Sequence, residues 1–197
     1  MKNWNIRFLL IIISGVLLWS CSNENSTEPN DKITDGPIQI ADYFPLSIGN
    51  FWILTKDYSN SLDTLKIIQI VNYDNVQFYK IKETIGFVIE NNILHSFRGS
   101  YGELDWTVVP LIDGNMKVGE KKDYEYSYNS KLDTVTIERL DNITINVEAG
   151  SFNCVSFYES NNNYTWYFSE SVGIVKVTIQ RNGEIEVKNL FDYHVNN

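Results

Sequence analysis

The stretch VSFYESNNNYTWYFS, residues 155–169, sets two alternating runs of aromatic and branched residues on either side of three asparagines. Alternation of this kind sends successive side chains to opposite faces of a strand. Asparagines between two such runs mark a turn, because they tolerate positive φ. A two-residue turn at Asn161 and Asn162 opposes Glu159 to Tyr164, Phe157 to Trp166 and Val155 to Phe168. The other face then carries Tyr158 with Thr165 and Ser156 with Tyr167. Directly opposed residues share a face of the sheet, and in this register aromatic and branched side chains meet on one side. The segment reads as an antiparallel hairpin.

The same signature recurs along the chain after Cys21. Short runs rich in Ile, Val, Thr, Tyr and Phe alternate between Asn, Asp and Gly clusters, and no apolar pattern at helical spacing lasts three turns. The runs include FWILTKDY, DTLKIIQIV, VQFYKIKET, DTVTIERL and FNCVSFYE. The predicted fold class is all-β: a single antiparallel meander, strongly curved or closed into a barrel, with few or no helices in the mature domain. In GIVKVTIQRNGEIEVKNL, residues 173–190, an Asn182-Gly183 turn would oppose Ile179 to Glu186 and Gln180 to Ile185, mixing faces along the ladder. A three-residue loop of Arg181, Asn182 and Gly183 instead opposes Ile179 to Ile185, Val177 to Val187 and Lys176 to Lys188, and that register is the one predicted.

Outside the sheet, the N-terminus fixes the compartment. Lys2 and Arg7 precede an apolar segment, Phe8 to Leu18, of 11 residues. That is short of the ~20 needed to span a bilayer as a helix. A basic start, a short apolar run and a small residue, Ser20, before the cut describe an export signal. Residues 1–20 are therefore read as a signal peptide. The order Leu18-Trp19-Ser20-Cys21 resembles a bacterial lipobox, which implies lipidation at Cys21. Two or more acyl chains hold a protein durably on a bilayer. Residues 21–40, rich in Asn, Ser, Glu, Asp and Pro, read as a flexible tether. Residues 41–197 form the β domain.

Removing residues 1–20 takes away Lys2, Arg7 and no acid, so the formal charge of −9 becomes −11. A polyanion is repelled by that field, and no basic stripe interrupts it, so nucleic acid is not an expected partner. With Cys21 lipidated, Cys154 has no intramolecular partner and reads as a small buried hydrophobe; without lipidation, a Cys21–Cys154 bridge is the alternative, since exported compartments permit disulfides.

Catalytic patterns are absent. His95 and His194 lie outside metal-ligand spacing, and no cofactor or metal is expected. His95 alternates with Ile93 and Phe97 and reads as a packed histidine, whereas His194, near Asp192, lies in the last four residues. RGSYGE lacks the glycine two places before its serine that a nucleophile elbow requires. Asp57 and Asp63 could flank a sugar, but in a chain of 25 acids such a pair carries little information. The aromatic content is the one functional hint. Trp52, Trp106 and Trp166 are the candidate ligand-binding residues, with core filling as their ordinary use.

DYFPLSIGNFWIL, AGSFNCVSFYES and TWYFSESVGIVKV resemble the aromatic- and glycine-punctuated signature of a family of uncharacterised antiparallel-β bacterial envelope lipoproteins. More distantly, the pattern is similar to half-barrels of the LolA and LppX type. The shared features are Gly49, Trp52, Gly150, Phe152, Trp166 and Gly173, which serve backbone and packing. The expectation is a lipid-anchored envelope protein, most readily in the outer membrane, without catalytic activity. It is expected to bind an apolar ligand or another envelope component; a glycan binder or, further off, a hydrolase are the alternatives.

Overall fold

A computed structural model describes residues 33–57, 59, 61–73, 76–99, 107–128 and 131–196. Its one helix among these is a single turn, α1 (Ile40–Tyr43). The strands are β1 (Phe51–Lys56), β2 (Leu62–Lys66), β3 (Gln69–Tyr73), β4 (Val76–Lys82), β5 (Ile85–Glu90), β6 (Ile93–Arg98) and β7 (Thr107–Asp113). They continue with β8 (Lys121–Tyr128), β9 (Lys131–Val147), β10 (Gly150–Glu159), β11 (Tyr164–Ser169), β12 (Gly173–Arg181) and β13 (Glu184–His194).

All pairings are antiparallel, and most join neighbours in sequence, as the turn spacing predicts. The strands nevertheless divide between two sheets rather than forming one continuous meander. An eight-stranded sheet has the order β2-β1-β13-β12-β11-β10-β9-β8, and a five-stranded sheet runs β3-β4-β5-β6-β7. The division begins inside DTLKIIQIV, where two consecutive isoleucines break the alternation. Ile67 is fully buried and its backbone bonds to Gly49 and Asn50 beside β1. The next residue, Ile68, is 52% exposed and its N–H donates to the Lys80 carbonyl on β4. The chain returns between β7 and β8, where Asp113 is held by Lys122 Nζ at 2.9 Å, by the Tyr124 hydroxyl and by Asn115. Bulges at Ile53/Leu54, Cys154/Ser156 and Tyr167/Phe168 bend the larger sheet without closing it into a barrel.

The core lies between the sheets. Phe44, just after α1, stacks on Trp52 at 5.1 Å and meets Phe87 edge-on at 5.0 Å and Phe168 at 5.6 Å, so one ring touches both sheets. Its segment is pinned by Ile38 N–H to the Gly114 carbonyl, Asn92 to Ile38 and Ile40, and Ser171 N–H to the Asp42 carbonyl. These partners sit at the β5–β6 turn, just after β7 and at the β11–β12 turn, so residues 38–44 plug that end of the sandwich. Ile33 to Asp35, read from sequence as tether, bond to Asn142 on β9.

The hairpin of β10 and β11 has the predicted register, with Phe157 opposite Trp166 and Val155 opposite Phe168. Its positive φ falls on Asn163 (54°), not on Asn161 or Asn162. Glu159 accepts bonds from the N–H and the side-chain amide of Asn162 within the turn. The β12–β13 prediction is overturned. Asn182 (φ 52°) and Gly183 (φ 84°) form the two-residue turn, Ile179 faces Glu186 and Val177 faces Lys188. Lys176 lies opposite Asn189, not Lys188. The local preference of Asn-Gly for two positive φ angles wins. The mixed faces are accommodated because Ile185 stays 61% exposed.

Candidate functional site

The registers place inner-face residues in rows across the larger sheet. One row runs Arg139, Phe157, Trp166, Val177, Lys188, Lys56; the next runs Ile137, Glu159, Tyr164, Ile179, Glu186. On the smaller sheet Ile85 pairs with Arg98, and Arg98 with Thr107. These rows meet at the end of the sandwich opposite the Phe44 plug, and two clefts lie between them.

The first cleft, about 250 Å³, has walls of Leu54, Leu65, Ile81, Ile85, Val177 and Ile179. Tyr164 and Trp166 also line it, with Asp63, Lys82 and Lys188 among its polar groups. Trp166 is 9% exposed, and its buried Nε1–H has no hydrogen-bond partner among the described residues. It packs edge-on to Tyr164 at 5.5 Å and stacks on Phe168 at 6.1 Å. At one margin four charges alternate: Lys188 to Asp63 at 2.6 Å, Lys56 to Asp63 and to Glu186 at 3.7 Å, and Lys188 to Glu186 at 3.9 Å. The Lys188 hydrogen bond, above all, holds the Asp63 carboxyl below the usual carboxylate range, against the opposing effect of its partial burial.

The second cleft, about 280 Å³, is lined by Ser96, Arg98, Thr107, Val109, Tyr126, Asp133, Asn161 and Asn162. Asp133 accepts from the Tyr126 hydroxyl at 3.1 Å and from the Thr134 N–H. Asn162 is tied to Glu159, whose fully buried carboxyl is pushed above its ordinary value by desolvation. The side chains of Ser96, Arg98, Thr107 and Asn161 make no hydrogen bond or ion pair among the described residues. Thr107 among them is only 6% exposed.

Of the tryptophans singled out from sequence, Trp166 lies in the first cleft. Trp52 is fully buried, and its Nε1–H donates to the Val172 carbonyl at 2.6 Å, so it fills the core. Trp106 and the lipidation candidate Cys21 lie outside the described residues. Cys154 is buried, with its thiol pushed up to about 12 by desolvation. Burial likewise holds the His95 imidazole below the ordinary histidine value, and its Nδ1 has no partner. His194 stacks on Phe51 and contacts Asn196, while Asp192 accepts from the Tyr193 N–H, so the two form no acid–base pair. Asp57 accepts from Asn189 and Asp63 from Lys188, which separates that carboxylate pair into two satisfied groups. Among the described residues no group of three His, Cys, Asp or Glu side chains is placed to hold a metal ion.

Sequence reasoning missed Lys56, Glu186 and Lys188 at the cleft margin. The signal was present: the rejected Asn-Gly register put Glu186 and Lys188 on the face of Ile179 and Val177. Charged residues on a core face are a mark of a site rather than an error of register.

No protein-family model and no curated protein matches the chain. Two solved structures are similar to it. One is a candidate lipoprotein from Parabacteroides distasonis, 12% identical, covering 82% of this chain and 100% of its own, with a TM-score of 0.41. The other is a candidate exported protein with a YmcC-like fold from Bacteroides fragilis, 12% identical, covering 77% of this chain and 98% of its own, with a TM-score of 0.44. At this identity and these TM-scores the likeness assigns no function to the chain.

Proposed function

We propose that the protein is an envelope protein, lipid-anchored through Cys21, that binds an apolar or amphipathic small molecule without transforming it. The observation that carries the binding reading is the first cleft. Six aliphatic side chains wall a space into which the sandwich has not packed its own residues, while the opposite end is plugged by Phe44. One buried indole N–H there has no acceptor. Apolar concavities with a few convergent polar groups are the ordinary form of a small-molecule site. The volume suits a short chain or a single ring. The absence of transformation is supported by the titratable groups: His194 does not pair with Asp192, the buried thiol is held protonated, and Asp63 is paired with lysine.

The anchor is supported by the basic start, short apolar run and cysteine order at residues 1–21. No helix among the described residues is long and apolar enough to cross a membrane. Native mass spectrometry of protein extracted from its own membrane tests both parts. Acyl chains on Cys21 and a copurified apolar molecule are expected. An unmodified N-terminus refutes the anchor. Empty protein that also shows no saturable tryptophan fluorescence change with 1-hexanol refutes the binding reading.

A further inference from the structure

The two clefts are neighbours. Ile85 in the apolar cleft is directly opposite Arg98 in the polar one, and Tyr164 in the first follows the turn that supplies Asn161 and Asn162 to the second. Adjacent strands lie about 4.8 Å apart. A molecule seated over Ile85 therefore reaches Arg98 within one strand spacing.

We infer that the ligand of the apolar cleft carries a neutral, hydroxyl-rich head, a sugar ring, which occupies the polar cleft beside it. This rests on the reading of the apolar cleft as a ligand site. The reason is the donor and acceptor inventory. Arg98 only donates, Asp133 only accepts, and Ser96, Thr107 and Asn161 can do both. Their formal charges cancel. An anionic head asks for donors alone and a cationic head for acceptors alone. Sugar hydroxyls donate and accept at once and need this mixture. The groups are also uncommitted: the side chains of Ser96, Arg98, Thr107 and Asn161 form no hydrogen bond or ion pair among the described residues. Side chains with no bond inside the protein can pair with a ligand without first giving one up. Register fixes Ser96 opposite Val109 and Arg98 opposite Thr107 on one face, so the set is held by strands and not by a loop. The acidic excess of the chain, −9 in formal charge, also disfavours an anionic head.

The test is calorimetric titration of the full chain in nanodiscs, with empty nanodiscs subtracted, using hexyl β-glucoside, 1-hexanol and hexyl phosphate. The glucoside is expected to bind at least tenfold tighter than hexanol and tighter than the phosphate. Arg98→Ala with Asn161→Ala should bring the glucoside down to the affinity of hexanol while hexanol itself is unaffected, which also reports an intact cleft. Thr107→Val, nearly isosteric, should weaken the glucoside several-fold and leave hexanol unchanged. Hexanol binding with no gain from the sugar, or a tighter phosphate, overturns the sugar head and leaves the apolar cleft standing. Binding of none of the three overturns both.

Discussion

Gly173 shows how much can rest on one missing side chain. Its φ is +96°, and a Cβ there would sit 2.5 Å from Trp52 Nε1. The same indole nitrogen donates to the neighbouring Val172 carbonyl, so the turn, the tryptophan and the plug ring Phe44 form one packed unit. Gly173→Ala adds backbone strain and overpacking, each on the order of 1–3 kcal/mol. Urea unfolding should show a lower midpoint with an unchanged slope. Cys154 offers a check on burial. With its thiol at about 12, the native protein at pH 8 should resist alkylation by iodoacetamide and react readily once unfolded in urea.

Among the elements, alternation was legible wherever local geometry and burial agree, as in β10 and β11. Phe157 and Trp166 meet on the inner face because both the turn and the core ask for it. The β12–β13 hairpin was misread because face matching was given precedence over Asn-Gly, whose backbone preference is satisfied in the structure at the expense of an exposed Ile185. Two further elements were hidden for physical reasons. Asp141-Asn142 looks like a turn, but β9 runs through it, with a bulge on β10 and Ser156 Oγ donating to the Asp141 carbonyl. Ile67-Ile68 looks like the middle of a strand but is where the chain changes sheet. Of the candidate site, Trp166 was visible beforehand, and Asp63 only as half of a carboxylate pair that the structure separates. The cleft walls come from strands distant in sequence, whose juxtaposition depends on the division into two sheets. The observed register predicts that Ile185→Thr changes stability by less than about 0.5 kcal/mol, as exposed positions do. Ile179→Thr should cost about 1–3 kcal/mol, since it places a hydroxyl in an apolar wall. The three-residue register would make the two costs similar, so thermal melts of both variants decide between them.

For the whole molecule, two acids on the inner face should pull stability in opposite directions with pH. Asp63 has a depressed folded value, so its contribution is present above the unfolded carboxylate value of about 3.9 and lost as pH falls through the folded one. Glu159 has a raised folded value, so its penalty is full above that value and disappears as pH falls below the unfolded one, about 4.3. Asp63→Asn should lower the melting temperature at pH 7, and Glu159→Gln should raise it. Both differences should shrink toward pH 3; equal signs at pH 7 would contradict the assigned environments. The topology also bears on how the molecule is assembled. Pairing from β8 to β13 is hairpin by hairpin, but β1 joins β13 across a separation typified by the 134 positions between Thr55 and Asn189. Closing so long a loop is the slow step in such a chain. In a polypeptide made from its N-terminus, Trp52 and Leu54 thus lack their partners Tyr193 and Leu190 until the final strand has emerged. The earliest strand of the larger sheet must therefore wait for the latest before both of its edges are paired.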